Sequence, residues 1–271
     1  PSMNTLAQTH LQLMNDLWMA IDRNELRLLY QPKFHAPAGP VLGFEALLRW
    51  QHPKQGLLTP DLFLPLAEKT GLIVPIGNWV INEACRQLRE WHLQGHQSWS
   101  MAVNLSTLQF EQPSLVKTVL DCLALHQVPP EMLILEVTET TAMSNPDESV
   151  RVLTELTDAG VKASIDDFGT GYSSLLYLKR LPACELKIDR AFVKELSGES
   201  EDATIVSAIV ALAKTLNLKV VAEGVETEAQ QAFLTELGCN TLQGYLLGKP
   251  VSAQTIEALC ARGEMLPGAE Q

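Results

Sequence analysis

The 271-residue sequence lacks an excess of basic charge, a long apolar run, and the cysteine and histidine spacings of zinc or disulfide modules. Its 20 Lys+Arg stand against 32 Asp+Glu, a net charge of −12, which argues against nucleic-acid duplexes and anionic membranes as partners. The longest apolar run, Ala208 to Ala213, has six residues, whereas a spanning helix needs roughly 18. The five cysteines (Cys85, Cys122, Cys184, Cys239, Cys260) are odd in number and scattered, with no C-x-x-C pair, and read as reduced structural thiols. The six histidines form no H-E-x-x-H, so zinc is not expected. Neither an initiator Met nor an apolar signal segment opens the chain at Pro1. The expectation is a cytoplasmic piece of a longer protein, with room for upstream domains and for a membrane anchor outside this sequence. Without a secretory signal, the sequon Asn104-Leu105-Ser106 reads as accidental.

With 46% hydrophobic residues the chain has ample material for a core. Strand-like runs fall near residues 28–34, 41–49, 100–104, 132–138, 162–167, 184–188, 219–223 and 241–245. Helical patterns lie between them, at 61–69, 78–92, 114–125, 147–159, 202–216, 227–236 and 253–261. Alternating β and α elements indicate a parallel sheet, and eight strands in one chain indicate a (β/α)8 TIM-like barrel over residues 25–262. An extra helix, Leu6 to Asp22, is expected within residues 1–24, and a flexible tail over 263–271.

Each predicted strand carries a polar residue, most of them toward its C-terminal end, where barrel enzymes assemble their sites. They are Gln31, Glu45 with Arg49, Asn104, Glu136, Asp166 with Asp167, Lys187, Glu223 and Gln243. A lone polar residue near a strand end is more often a satisfied rim residue than a functional one; eight strands contributing together change that balance. Glu45, Glu136, Asp166, Asp167 and Glu223 would converge as five carboxylates. Two like charges about 5 Å apart at an effective dielectric near 20 repel by ~3 kcal/mol, so protons or divalent cations must neutralise the cluster. Oxygen donors without His or Cys favour Mg²⁺ or Mn²⁺, and adjacent Asp166 and Asp167 suit a two-metal site. Lys187 reads equally as a catalytic group or as an interior ion-pair partner, Arg49 as a phosphate clamp or a surface ion pair, and His52 as structural. Gly169 and Gly171 read as hinges of a mobile loop or as an ordinary βα turn. Asp167-Phe168-Gly169 matches a kinase triplet, but no H-R-D loop accompanies it.

From about Leu13 to Ala261 the sequence resembles the EAL-domain family of bacterial cyclic-di-GMP phosphodiesterases. The likeness rests on seven ordered motifs: EAL at Glu45–Leu47, VNLS around Asn104, EVTE from Glu136 to Glu139, DDFGTGYSSL from Asp166, KID from Lys187, AEGVE from Ala222 to Glu226, and QGY from Gln243. The resemblance implies hydrolysis of cyclic di-GMP to linear pGpG with two Mg²⁺ or Mn²⁺ ions. One ion would be held by Glu45, Asn104, Glu136 and Asp166, the other by Asp166, Asp167 and Glu223. It implies Lys187 or Glu223 as the group that takes a proton from water, and Glu139 as the tether of the Gly169–Gly171 loop. Gln31, Arg49, Glu226 and Gln243 are implied as ligand or supporting positions. It further implies an antiparallel first strand, a homodimer and an upstream sensory or signalling domain. The competing expectations are a catalytically silent cyclic-di-GMP receptor acting through a protein partner, which such domains become by losing metal ligands, and an unrelated enolase-like barrel.

Overall fold

The computed structural model describes residues 12–37, 39–169, 175–196 and 200–262. Strands β1 (Leu26–His35) and β2 (Val41–His52) are joined by residues 36–40 alone. A parallel return needs a crossover of about a dozen residues, so these two strands pair antiparallel, with Gln31 opposite Glu45 and Lys33 opposite Gly43. β2 turns again into the short β3 (Gly56–Leu58), which was not expected from the sequence. Gly56 takes φ +75° there, a left-handed conformation without penalty for glycine. His52, expected to be structural, accepts the Lys54 and Gln55 amides on Nδ1 and meets Asp16 through Nε2 at 3.3 Å.

Strands β4 (Ser100–Leu105), β5 (Leu133–Thr138), β6 (Lys162–Phe168), β7 (Glu185–Ile188), β8 (Lys219–Ala222) and β9 (Thr241–Leu242) follow. From β2 through β9 the barrel neighbours are parallel, and β9 pairs antiparallel with β1. Eight strands therefore close the expected barrel, first strand reversed, with β3 appended to β2. The last two strands end earlier than expected, which puts Glu223 and Gln243 just beyond β8 and β9.

Alternation along the strands divides the barrel into two environments. Leu133, Leu135, Val137, Ile165, Leu186 and Ile188 are fully buried in the apolar core between sheet and helices. Each such Leu or Ile contributes about 1.5–3 kcal/mol. Glu136, Ser164, Asp166, Glu185 and Lys187 alternate with them and fill the interior. Seven expected helices form near their predicted limits, but Ile73–Leu93 starts before Asn78 because Ile73, Ile76 and Gly77 extend its buried face. Its Trp91 packs edge-on to Tyr30 and Trp99 and against Phe44, at ring separations of 5.0, 5.6 and 4.7 Å. Single-turn helices such as Thr107–Phe110 and Arg190–Lys194 carry too few apolar repeats to be read from periodicity. Of the expected N-terminal helix, residues 12–18 are helical and Leu17 and Ala20 are buried. The rest of it before residue 12, the tail from Gly263, and Gly171 lie outside the described residues.

Candidate active site

The C-terminal ends of the parallel strands open into a pocket of about 960 Å³. Gln31, Glu45, Arg49, Asn104, Asp166, Asp167, Glu223, Glu226 and Gln243 all line it. Glu136 and Lys187, expected in the same constellation, lie under its floor at 1% and 0% exposure. The Lys187 ammonium is the centre of the cluster: it stands 2.6 Å from Glu136 Oε2, 2.7 Å from Glu223 Oε1, 3.0 Å from Asp166 Oδ2 and 3.8 Å from Glu45 Oε2. Asn104 Nδ2 donates to Glu45 Oε1 at 2.7 Å, and Gln243 Nε2 donates to Glu45 Oε2 at 2.7 Å. Gln31 Oε1 accepts from the same Gln243 amide at 3.2 Å, while Gln31 Nε2 donates to the Gly248 carbonyl at 3.1 Å. Two amides, from β4 and from just beyond β9, thus fix the one carboxylate of Glu45.

Two neighbouring acids of β6 face one mouth because the strand is bent. Its pairing with β7 slips between Ile165 and Phe168, and Asp167 takes φ +52°. Such an irregularity re-aims a side chain that regular alternation would send outward. The Asp167 amide also donates to Asp166 Oδ1 at 2.8 Å. β5 stops at Thr138, the limit expected from the sequence, and the Thr138 hydroxyl caps the helix Glu139–Ser144 that Glu139 opens. There Glu139 is buried, and its Oε2 accepts the Gly169 amide at 2.9 Å.

The electrostatics follow from placing many acids around one amine. Burial alone would lower the affinity of Lys187 for its proton, but Glu136, Glu45, Glu223 and Asp166 raise it well above the ordinary lysine value, so the ammonium stays charged. Burial pushes Glu136 well above the usual carboxylate range against the pull of Lys187, and holds Glu223 up at about 7. Burial and then the neighbouring Asp166 raise Asp167 to about 6. Burial also acts upward on Glu45, yet Lys187 and the bonds from Gln243 and Asn104 bring it below its ordinary value.

The donor set fits hard divalent cations: oxygen from five carboxylates and one amide, with no His or Cys among them. Glu136 Oε1 is buried without a hydrogen-bond donor among the described residues. No three His, Cys, Asp or Glu side chains among those residues form a preassembled cage, because Lys187 draws Glu136, Asp166 and Glu223 around its own ammonium.

Sequence reasoning overlooked Lys33 and Glu185. Lys33 Nζ lies 3.1 Å from Glu185 Oε1 and 3.5 Å from Glu136 Oε1, inside the barrel. Period-two alternation held the signal, since Lys33 follows Gln31 by two positions and Glu185 precedes Lys187 by two.

The mixed barrel gathers an acidic ring of oxygen donors at the C-terminal mouth, where barrel enzymes assemble their sites. The chain belongs to the EAL domain family, whose sequence model matches residues 14–250. It is 63% identical over 260 residues to MucR of Pseudomonas aeruginosa, a bifunctional diguanylate cyclase/cyclic di-GMP phosphodiesterase, covering 96% of this chain and 38% of MucR. It is 45% identical over 251 residues to NbdA of the same organism, a cyclic di-GMP phosphodiesterase, covering 93% of this chain and 32% of NbdA. The chain therefore spans about a third of the length of these relatives. The solved PaMucR phosphodiesterase in its c-di-GMP complex matches at TM-score 0.89 and 64% identity, covering 90% of this chain and 99% of that one.

Proposed function

We propose that this domain hydrolyses one 3′,5′-phosphodiester of cyclic di-GMP to linear pGpG, lowering the level of that messenger. The observation that carries the reading is the ring of Glu45, Asn104, Asp166, Asp167 and Glu223 above Lys187 at a single barrel mouth. The solved PaMucR complex supports the choice of ligand. We assign Glu45, Asn104, Glu136 and Asp166 to one divalent ion, Mg²⁺ or Mn²⁺, and Asp166, Asp167 and Glu223 to a second. Bound there, such ions would acidify the attacking water and neutralise charge developing on the phosphate oxygens.

This chain's own groups do the rest. Arg49, whose Nη1 is anchored on the Leu48 carbonyl at 2.8 Å, presents its remaining donors to the phosphate from the pocket wall. Glu223, at the pocket surface, takes the proton from the attacking water, and O3′ gains one from solvent as the P–O3′ bond breaks, leaving a 5′-phosphate and a 3′-hydroxyl. We give that step to Glu223 rather than Lys187, because a charged ammonium ringed by Glu136, Asp166 and Glu223 has no lone pair to offer. It holds those acids in register instead. Glu139 positions Asp167 through the Gly169 amide, and Gln31, Glu226 and Gln243 shape the nucleotide site. In the whole protein we place the domain in a homodimer downstream of a sensory or signalling domain.

The test is incubation of the purified chain with cyclic di-GMP, with Mg²⁺ or with chelator, and chromatographic detection of pGpG. The expected result is pGpG only with metal. Tight binding without pGpG in Mg²⁺ would instead make the domain a silent receptor.

A further inference from the structure

Beneath the acidic ring lies a charged layer that the chemistry above does not use. Lys33 on β1 and Glu185 on β7 are 3% and 6% exposed. Because β1 is reversed, the step from Gln31 to Lys33 runs down the barrel axis, from the level of Glu45 to that of Gly43. Glu136 consequently sits between two ammonium groups, Lys187 at 2.6 Å from Oε2 and Lys33 at 3.5 Å from Oε1. Lys33 is held at hydrogen-bonding distance by Glu185, 3.1 Å away, and so stays just beyond a normal hydrogen bond to Glu136. Among the described residues Oε1 has no other donor.

This geometry does two things at once. The Lys33 charge orients the Glu136 carboxylate from below, while Glu185 restrains Lys33 from closing onto Oε1. We propose that the Lys33–Glu185 pair is a positioning device for Glu136: Lys33 below sets the carboxylate's rotation and Glu185 keeps Lys33 from drawing it down, so that the pair tunes divalent-ion affinity at the mouth. The inference rests on the reading that Glu136 helps hold a divalent ion. Partners that orient a metal-binding group typically alter affinity or activity by about 10–100-fold. A purely structural pair would neutralise two buried charges and leave cation affinity alone.

Two variants separate these roles, read by calorimetric titration of Mn²⁺ into substrate-free protein and by thermal melts in chelator. Glu185→Gln preserves size and an acceptor for Lys33 but removes the charge that restrains it. Lys33→Met combined with Glu185→Leu removes the pair without stranding either charge. Wild type is measured first: if it binds no Mn²⁺, the metal reading itself fails. If it binds, the positioning role predicts Mn²⁺ affinity weakened by about tenfold or more in each folded variant, whatever each loses in melting temperature. Affinity within about twofold of wild type in a folded variant overturns the proposal. If one variant fails to fold, the other decides. Failure of both assigns the pair to stability and overturns the proposal as well.

Discussion

Lys187→Met replaces an ammonium by an uncharged chain of similar length, and the structure sets the size of the effect. The ammonium stands within 2.6–3.8 Å of four carboxylates at 0% exposure. Each contact near 3 Å is worth about 5 kcal/mol at an effective dielectric near 20, before the larger part is cancelled by desolvation. Removing one partner of a buried ion pair costs about 3–5 kcal/mol net. At about 2–4 °C per kcal/mol for a domain of this size, the metal-free variant should melt about 6–20 °C below wild type. Divalent ions supply the missing positive charge, so Mg²⁺ should raise the melting temperature of the variant more than that of wild type. Turnover should remain severely depressed, because the acids lose their common anchor. The assay is a thermal melt of both proteins in chelator and in Mg²⁺. A variant that melts with wild type in chelator, or equal Mg²⁺ stabilisation of both proteins, would refute this account of Lys187.

Asp166→Ala should lower pGpG formation by at least ~10²-fold, about 2.7 kcal/mol of transition-state stabilisation, with the fold intact by circular dichroism; near-normal turnover removes Asp166 from the site. Glu139→Ala should weaken Mg²⁺ activation by about 10–100-fold, with partial recovery at higher metal; an unchanged Mg²⁺ dependence would reduce the Gly169 contact to a local capping bond. In chelator, Glu223 binds its proton at about 7 when folded against an ordinary value of 4.5, so the folded state holds the proton more tightly. Its stabilising share is complete below pH 4.5 and drains as pH rises through about 7. Metal-free wild type should therefore lose more melting temperature between pH 5 and pH 7.5 than Glu223→Gln does, and equal losses contradict the burial argument.

Most of the barrel was legible because its signals are periodic. The outward faces of β5, β6 and β7 and the long face of Ile73–Leu93 repeat every two or about 3.6 residues. The reversed first strand was legible too, though in connection length rather than periodicity: residues 36–40 are too few for a crossover. The sequence reading reached it only through family resemblance. What stayed hidden depends on local backbone departures. Nothing in Asp166-Asp167-Phe168 announces the positive φ that brings both acids to one mouth. The short helix that Glu139 opens just past the expected strand 132–138 was not read either, because it rests on one Thr138 hydroxyl cap and carries too few apolar repeats.

The interior charges are graded by depth, and that grading explains how a barrel with so many acids stays folded. Six acids (Glu45, Glu136, Asp166, Asp167, Glu185, Glu223) face two lysines (Lys33, Lys187), a formal net of 2 − 6 = −4 when every acid is ionised. At the deepest level Glu185 and Lys33 pair one to one, and the next level sets Glu136 against Lys187. The uncompensated charge sits on Glu45, Asp166, Asp167 and Glu223, all of which line the pocket. An unpaired charge is most expensive where water cannot reach it, so the excess lies where solvent and cations can. Mouth substitutions should therefore register first in cation binding, whereas deep ones cost stability and reach the cation through Glu136. Glu136 joins the two regimes, since it meets Lys33 below through one oxygen and Lys187 through the other.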